Sequence, residues 1–507
     1  MVEEITVFLA MSSPYSDLIR QLQRLHTLCS VTGILGWDEQ VNLPPDSADL
    51  RAEQMALMAE LSHEASVNPA IGEALQALES GDVKLSSDER VVVREARRDF
   101  DRRVRLPGEF VTEQTRHSSA GYHAWTRAKP ANDFAGYAPF LTKHVELAKR
   151  EAEYQGWGDR AYDFAIDKHD PGFTAATIEV VFGELREGLV PLVKRIATSP
   201  VKADRARLRG FPVEAQAKFL REVTDRIGFN YQRGRIDVSP HPFCEGSGAD
   251  VRMTTCYDID DPMNSLFGAI HETGHGMYEQ GLPLAHHATP LGQHAGMAMH
   301  ESQSRMWENQ VGRSRGFWRY FEPRYREEFG SQLAHVSSED LYLAVNAVQP
   351  TLIRVASDEV HYNLHIILRF ELEQKLFSGE LTVEELPRAW NDLCEAILGR
   401  RPTTDTEGML QDVHWSGGAF GYFPSYCLGN MISAQLWQTL TEQVAGVEDD
   451  FARGKFGRLL EWLQTNVHSQ GRRYSALELV QRVTGAPLSP RPLLAYLEKR
   501  YGNLYGV

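Results

Sequence analysis

Cysteine is scarce and odd in number. Cys29, Cys244, Cys256, Cys394 and Cys427 are the five in 507 residues, and no two form a C-x-x-C pair. A disulfide framework is therefore not what organises the chain, and a reducing compartment is the better expectation. Long apolar runs are also missing. No stretch reaches the roughly 18 apolar residues that a membrane-spanning helix needs. The opening MVEEITVFLAMSS has a short apolar run preceded by two glutamates rather than by Lys or Arg. It does not read as a secretion signal, so the expected location is cytoplasmic. Positive charge is in deficit, with 53 Lys and Arg against 69 Asp and Glu and a net charge of -16. Clustered basic residues are what neutralise phosphates, so no nucleic-acid partner is expected. The acidic balance favours solubility and says little more. Internal repeats, low-complexity tracts and long linkers are absent from the sequence.

What remains is ordinary globular material, 42% hydrophobic and 24% charged. The length suits one large catalytic domain or several smaller ones. Helical periodicity dominates. Ser13 and Pro14 read as N-cap and first residue of a helix to about Cys29. Further helices are expected over 47–65, 86–104, 109–128 and 133–155. Thr174 caps another that Pro191 should kink, and Pro212 opens one that Gly228 ends. Between 229 and 260 the texture changes. Alternation and β-branched residues in GRIDVS and DVRMTT predict two short strands joined by a Gly-rich turn. Helices then resume to the end. The fold class expected is mainly α, a single domain with one small β-sheet.

Residues 271–275 read HETGH, an H-E-x-x-H pentad. On a helix, positions i and i+4 share a face, so His271 and His275 can grip one ion while Glu272 serves as general base. Asp261 and Pro262 supply the N-cap and first turn, and Met263, Leu266, Phe267 and Ile270 the apolar stripe. Two surface histidines flanking a glutamate would be the bland alternative.

A catalytic zinc site usually takes a third protein ligand and keeps one position open. Gly281 stands where an extended H-E-x-x-H-x-x-G-x-x-H motif needs histidine, so that route is closed. Glu279, one turn further on, would require three consecutive turns to fold onto one ion. The chain breaks at Gly281, Pro283, Pro290 and Gly292, and a new helix from about His294 can return a carboxylate. Glu301 and Glu308 are the candidates. Glu301, on a tightly packed face with Met297 and Ser304, is preferred, and Glu308 is read as solvated or as an outer partner. His286, His287, His294 and His300 are read as surface or hydrogen-bonding groups.

HETGH followed by His300-Glu301-Ser302-Gln303 resembles the thermostable carboxypeptidase Taq family of metallocarboxypeptidases. His241-Pro242-Phe243 is similar to that family's HPF, and Asp250, Arg252 and Thr254 to its D-x-R-x-T. Ile353-Arg354 with Asp358 resembles I-R-x-x-A-D, with Ser357 where alanine is usual. Gly408, Gln411, Asp412, His414 and Trp415 resemble G-x-x-Q-D-x-H-W. Trp37-Asp38 and the run GYFPSYCLGN are similar as well, so the resemblance spans roughly 20–505. It implies a metal-dependent carboxypeptidase that removes single C-terminal residues from peptides with broad specificity. It also implies a mainly helical fold with a deep cleft, and a homodimer. The metal ligands carried over are His271, His275 and Glu301, with Glu272 as base. One divalent ion per chain is expected, zinc first and cobalt or manganese next. On this reading 1–507 is a single peptidase domain. Residues 1–228 form a helical cleft wall, 229–260 the sheet, and 261–507 the metal-site helices and cleft.

In the expected chemistry Glu272 accepts a proton as metal-bound water attacks the scissile carbonyl, then passes it to the leaving amine. The oxyanion needs a second electrophile, for which His241, His414, Tyr422 and Tyr426 stand unranked. A terminal carboxylate calls for arginine, whose planar fork pairs bidentately. Arg354 is first choice and Arg252 second, against the alternative of structural ion pairs with Asp358 or Asp250. Gln411 is a candidate for the peptide backbone, and Trp415 for core or cleft wall. Asp250 belongs to a strand pair that can offer an edge to an extended peptide. The competing readings are an endopeptidase with no need of the arginine, and a non-catalytic peptide-binding protein with a dead metal site.

Overall fold

A computed structural model describes residues 13–507. The opening residues, read above for a secretion signal, lie outside the described part. Chain contacts gather the protein into two compact units. One runs to Arg105 and includes Pro283–Gln293, and the other holds Leu106–Leu282 and His294–Val507. No described helix is long and apolar enough to cross a membrane.

Among the described residues the α-helices of the first unit are α1 (Pro14–Val41), α2 (Ala48–Ser66), α3 (Pro69–Glu79) and α4 (Ser87–Val104). Ser13 caps α1, accepting from the Ser16 N–H, and Ser86 and Glu89 form a reciprocal capping box on α4. Leu18, Ile71, Leu75, Leu78, Val93 and Ala96 make its core. Two expectations change here. The first helix continues twelve residues past Cys29, to Val41. Arg51 on α2 clasps this extension, donating to the Leu35 carbonyl and to Asp38, each at 2.5 Å. The helix α3 was not expected at all.

The second unit begins with α5 (Gly108–Ala131), α6 (Phe134–Tyr154), α7 (Ala161–Asp167), α8 (Ala175–Thr198) and α9 (Val213–Ile227). Thr174 caps α8, which continues through Pro191 to Thr198. A three-stranded sheet follows: β1 (Gly234–Val238), β2 (Cys244–Ser247) and β3 (Asp250–Thr255), in spatial order β1-β3-β2. The two expected strands are β1 and β3, and they pair in parallel, Gly234 opposite Val251 and Val238 opposite Thr255. The stretch read as a turn between them contains a third strand, β2, antiparallel to β3. The sheet is therefore not a simple pair, and β3, which carries D-x-R-x-T, is its central strand. β3 packs on the next helix, α10 (Pro262–Gly281), through buried Val251 and Met253.

Then come α11 (Met297–Arg305), a π-helical segment over Met306–Val311, α12 (Arg315–Glu328), α13 (Ser338–Val345), α14 (Tyr362–Ser378), α15 (Leu386–Leu398) and α16 (Phe423–Gln443). The helices α14 and α16 are buried on nearly every face, as expected of helices inside a large core. α16 packs along α11 and against α14, and α11 packs on α10. The fold is mainly helical, with one small sheet beside the H-E-x-x-H helix.

Candidate metal centre

The helix α10 starts where its sequence says it should. Asp261 accepts from the Asn264 N–H at 3.2 Å, and Pro262 occupies the first turn. His271 and His275 therefore project from one face. Between them lies Gly274, where an added Cβ would sit 2.6 Å from the Ser304 Cα and 2.7 Å from the Gln303 carbonyl oxygen. α10 and α11 meet backbone to backbone at that point, which only glycine permits. The close approach brings Glu301 to the histidines. Its Oε2 lies 3.6 Å from His271 Nε2 and 3.4 Å from His275 Nε2, and the three donor atoms all fall within 4.8 Å of one another.

Two features fix α11. At its start Gly296 has φ +106°, a left-handed value. The Ala298 N–H donates to Asp170 Oδ1 at 2.7 Å, and Ser425 Oγ donates to Asp170 Oδ2 at 2.6 Å. A buried carboxylate from residue 170 thus caps the helix that carries Glu301. On its other side, Gly429 of α16 lies so close that a Cβ there would be 2.6 Å from Glu301 Cγ.

Each of the three residues has a protein partner on its far side. His271 Nδ1 lies 3.0 Å from Glu308 Oε2. Arg305 donates from Nε to Glu301 Oε1 at 2.5 Å and from Nη1 to Glu308 Oε2 at 3.1 Å. Arg313 donates to the other oxygen of Glu308 at 3.3 Å. His275 Nδ1 lies 2.5 Å from His300 Nδ1, and His300 Nε2 lies 2.9 Å from Glu279 Oε1. Glu279, weighed above as a ligand, thus meets His300 instead. Glu308 is an outer partner but is not solvated, since it is buried.

The electrostatics follow from burial and these neighbours. Burial opposes ionisation of Glu301, but Arg305 and the two histidines outweigh it and hold the carboxyl well below the usual range. Burial lowers His275 to about 3, with His300 adding to the effect. Burial acts the same way on His271, but Glu301 and Glu308 overcome it and raise that ring. Glu272 is pushed up to about 7, chiefly by burial and against the pull of His271. Two imidazole nitrogens and one carboxylate oxygen directed at a common point, each anchored from behind, form a donor set that fits a divalent ion of the zinc type.

The other predicted residues fall into two groups. Arg354, buried, pairs with Asp412 at 2.8 Å and donates to the Tyr362 hydroxyl at 2.9 Å. Its guanidinium lies 5.0 Å from the Tyr426 ring centre. His414 Nε2 is 3.0 Å from the Tyr426 hydroxyl, and Tyr422 packs against both. Arg305 lies 4.2 Å over the Tyr362 ring, so this group adjoins Glu301. Gln411 accepts the Arg354 N–H at 2.8 Å and donates to the Leu352, Glu407 and Gly408 carbonyls, so its amide is engaged by the chain. Trp415 is core, donating to buried Glu373 at 2.7 Å. The second group lies on the sheet. Arg252 makes a two-pronged pair with Asp250, both bonds 2.9 Å. His241 is exposed, in a turn tied to β3: Ser239 Oγ donates to the His241 carbonyl at 2.6 Å and lies 2.7 Å from Thr254 Oγ1, from which it can accept. That explains why HPF and D-x-R-x-T lie together.

Sequence reasoning did not find Arg305, Tyr362, Arg369 or Asp170. Arg305 had a signal, since it stands four residues after Glu301 on a helix. Arg369 pairs with Asp412 at 2.5 Å from another helix, and only the fold shows it.

Comparison with known proteins gives a consistent answer. Residues 17–501 match the family described as carboxypeptidase Taq (M32) metallopeptidase. The chain is 43% identical to the thermostable carboxypeptidase 1 of Thermus thermophilus, covering 97% of this chain and 99% of that protein. It is 36% identical to carboxypeptidase 1 of Bacillus subtilis, over 96% and 97% of the two chains. The crystal structure of the M32 carboxypeptidase from Deinococcus radiodurans R1 superposes with a TM-score of 0.95 at 41% identity, over 97% of this chain and all of that one.

Proposed function

The chain belongs to the carboxypeptidase Taq (M32) metallopeptidase family and is a metal-dependent peptide hydrolase, and on that premise we propose that it removes single residues from free peptide C-termini with broad specificity, using a divalent ion held by His271, His275 and Glu301. The observation that carries the reading is the convergence of both Nε2 atoms on Glu301 Oε2, with buried Glu272 alongside. The ion, zinc first with cobalt or manganese as substitutes, supplies Lewis acidity that lowers the pKa of water and polarises the scissile carbonyl.

The chain's own groups do the rest. Glu272, buried and next in sequence to His271, takes the proton of the attacking water and hands it to the leaving amine. His414, Tyr422 and Tyr426, clustered beside Arg354, are the candidate donors for the developing oxyanion. Arg354 meets the terminal carboxylate, its guanidinium aligned by Asp412 and Tyr362 and its backbone held by Gln411. β3 is paired on both sides and offers no edge to an extended peptide, so His241 in the turn and Asp250 and Arg252 on β3 bear on the peptide through side chains alone. We place the enzyme in the cytoplasm as a homodimer. Five free cysteines fit a reducing location, and the dimer rests on the family resemblance.

The test is hydrolysis of one N-terminally blocked peptide as free acid and as C-terminal amide, with metal and after chelation. Metal-dependent release of one residue from the acid alone is expected. Equal cleavage of both forms identifies an endopeptidase and overturns the proposal.

A further inference from the structure

A histidine that binds a metal through Nε2 must carry its proton on Nδ1, and that proton needs an acceptor that also fixes the ring plane. His271 has the common solution, a carboxylate: Glu308 Oε2 at 3.0 Å from Nδ1. His275 does not. Its Nδ1 faces another imidazole, His300 Nδ1, at 2.5 Å, and behind His300 stands Glu279, 2.9 Å from Nε2.

Two nitrogens facing each other leave the direction of the bond open until the third group is considered. A carboxylate oxygen accepts, so His300 Nε2 carries a hydrogen and donates it to Glu279. A neutral His300 then has a bare Nδ1, which accepts, and the shared proton belongs to His275 Nδ1. The reverse order would set His300 Nε2 and Glu279 Oε1 against each other as two acceptors and would put a hydrogen on His275 Nε2, where it faces Glu301. Only in this sense of the chain Glu279, His300, His275 does His275 Nε2 offer a lone pair on the side of Glu301 Oε2, as a metal ligand there must.

Resting on the assignment of His271, His275 and Glu301 as the metal ligands, we propose that His300 is the positioning residue for His275: it accepts the Nδ1 proton and so selects the tautomer and ring orientation that bind metal, while Glu279 sets the direction of the relay. The surroundings suit the role. His300 is tilted 30° on His275 with ring centres 4.5 Å apart, and Tyr278 and His294 lie 5.4 and 4.9 Å away, so the ring has little room to turn. Interposing an imidazole also keeps the Glu279 charge one ring away from a site already flanked by the carboxylates of Glu301 and Glu308.

The experiment titrates metal-free protein with Co2+, following affinity by competition with a chelating dye and geometry by the cobalt absorption spectrum, so that turnover is not needed. His300→Phe keeps a ring of similar size without an acceptor. His300→Gln can restore a carbonyl acceptor, and Glu279→Gln keeps one behind His300. Far-UV circular dichroism and the melting temperature of the metal-free variants check the fold. Expected is a roughly 10- to 100-fold weaker affinity for His300→Phe with an altered cobalt spectrum, substantial recovery in His300→Gln, and a smaller loss in Glu279→Gln. Wild-type affinity and spectrum in a folded His300→Phe variant overturn the proposal. So does equal loss in the Phe and Gln variants, which would mean that packing rather than the acceptor matters. His275→Ala separates this failure from that of the ligand assignment: if His275→Ala binds Co2+ like the wild type, the ligand assignment itself is wrong.

Discussion

Gly429 is the place where packing and metal binding can be separated by one methyl group. In Gly429→Ala the new Cβ would lie 2.6 Å from Glu301 Cγ and 2.7 Å from Glu301 Cβ. Carbon atoms sit comfortably at about 3.5–4.0 Å, so α11 and α16 must part, or Glu301 must move, by roughly 1 Å. The stability cost of such overpacking is about 1–3 kcal/mol. The functional cost should be larger. The Oε2 of Glu301 serves both histidines at 3.4 and 3.6 Å, and a misplacement of about 1 Å can lower a rate by roughly 100-fold. The assay combines kcat/KM on a free-acid peptide, metal bound per chain after dialysis, and urea unfolding of the metal-free protein. A drop of 10-fold or more in kcat/KM (about 1.4 kcal/mol or more), together with metal loss, is expected from a protein that still folds. Gly183→Ala is the control. That glycine is exposed on α8 with nothing within 4 Å of its would-be Cβ, so the change should leave activity alone and, at a helix interior, add up to about 1 kcal/mol of stability. Full metal content and unchanged kcat/KM in Gly429→Ala would refute the reasoning and show that the helices can separate without moving the carboxylate.

Two further outcomes are expected. Asp412→Asn strips the shared partner from buried Arg354 and Arg369 and should cost about 3–5 kcal/mol by urea unfolding at neutral pH. Burial opposes ionisation of Asp412 but the two arginines hold it well below the usual carboxylate range, so its contribution is present above the unfolded pKa and fades as pH falls through the folded one. The gap to the wild type should therefore narrow in strong acid. A gap that stays constant into strong acid would contradict this. Asp170 has the opposite sign. Burial raises it to about 6 against the pull of Ser425 and the α11 amides, so its favourable contribution is complete below about pH 4 and is lost as pH rises to about 6, at about 1.4 kcal/mol per unit. Asp170→Asn can still accept from Ala298 and cannot ionise, so its melting temperature relative to the wild type should rise between pH 4 and pH 7. A flat difference would show that Asp170 is not strained by ionisation.

The sequence disclosed most about segments whose physics is local. Asp261, Pro262 and the apolar stripe placed α10, and the i, i+4 spacing placed both histidines on one face. Where local propensity and packing disagree, the structure follows packing. Val31-Thr32-Gly33-Ile34 is poor helix material, yet α1 runs through it to Val41, and Arg51 on α2 clasps the far end. CEGS, short and glycine-bearing, reads as a turn and forms β2 because β3 lies alongside. Alternation identified β1 and β3 but carries no information about direction, so their parallel pairing could not be seen. Around the candidate metal site, Arg305 carried a signal, its spacing of four from Glu301, that went unread. Asp170, Asp412 and Gly429 were not legible as supports, because each acts on a partner more than forty residues away, and nothing in a short window marks such a partner.

The helix bearing Glu301 is held by a cap from Asp170, a hydroxyl from Ser425 and a close contact from Gly429, and this has a consequence for how the enzyme is born. A nascent chain that has emerged as far as residue 310 already contains both histidines, Glu272 and Glu301, but not the helix that packs them. The last braces of the His271, His275 and Glu301 cluster therefore arrive only after more than four-fifths of these 507 residues have been synthesised, and a fragment cut short before residue 425 carries those three side chains without the Ser425 hydroxyl and the Gly429 contact that hold Asp170 and Glu301 in place. A chain truncated before Ser425 is expected to be inactive as a peptidase, and peptide hydrolysis by such a fragment would contradict this.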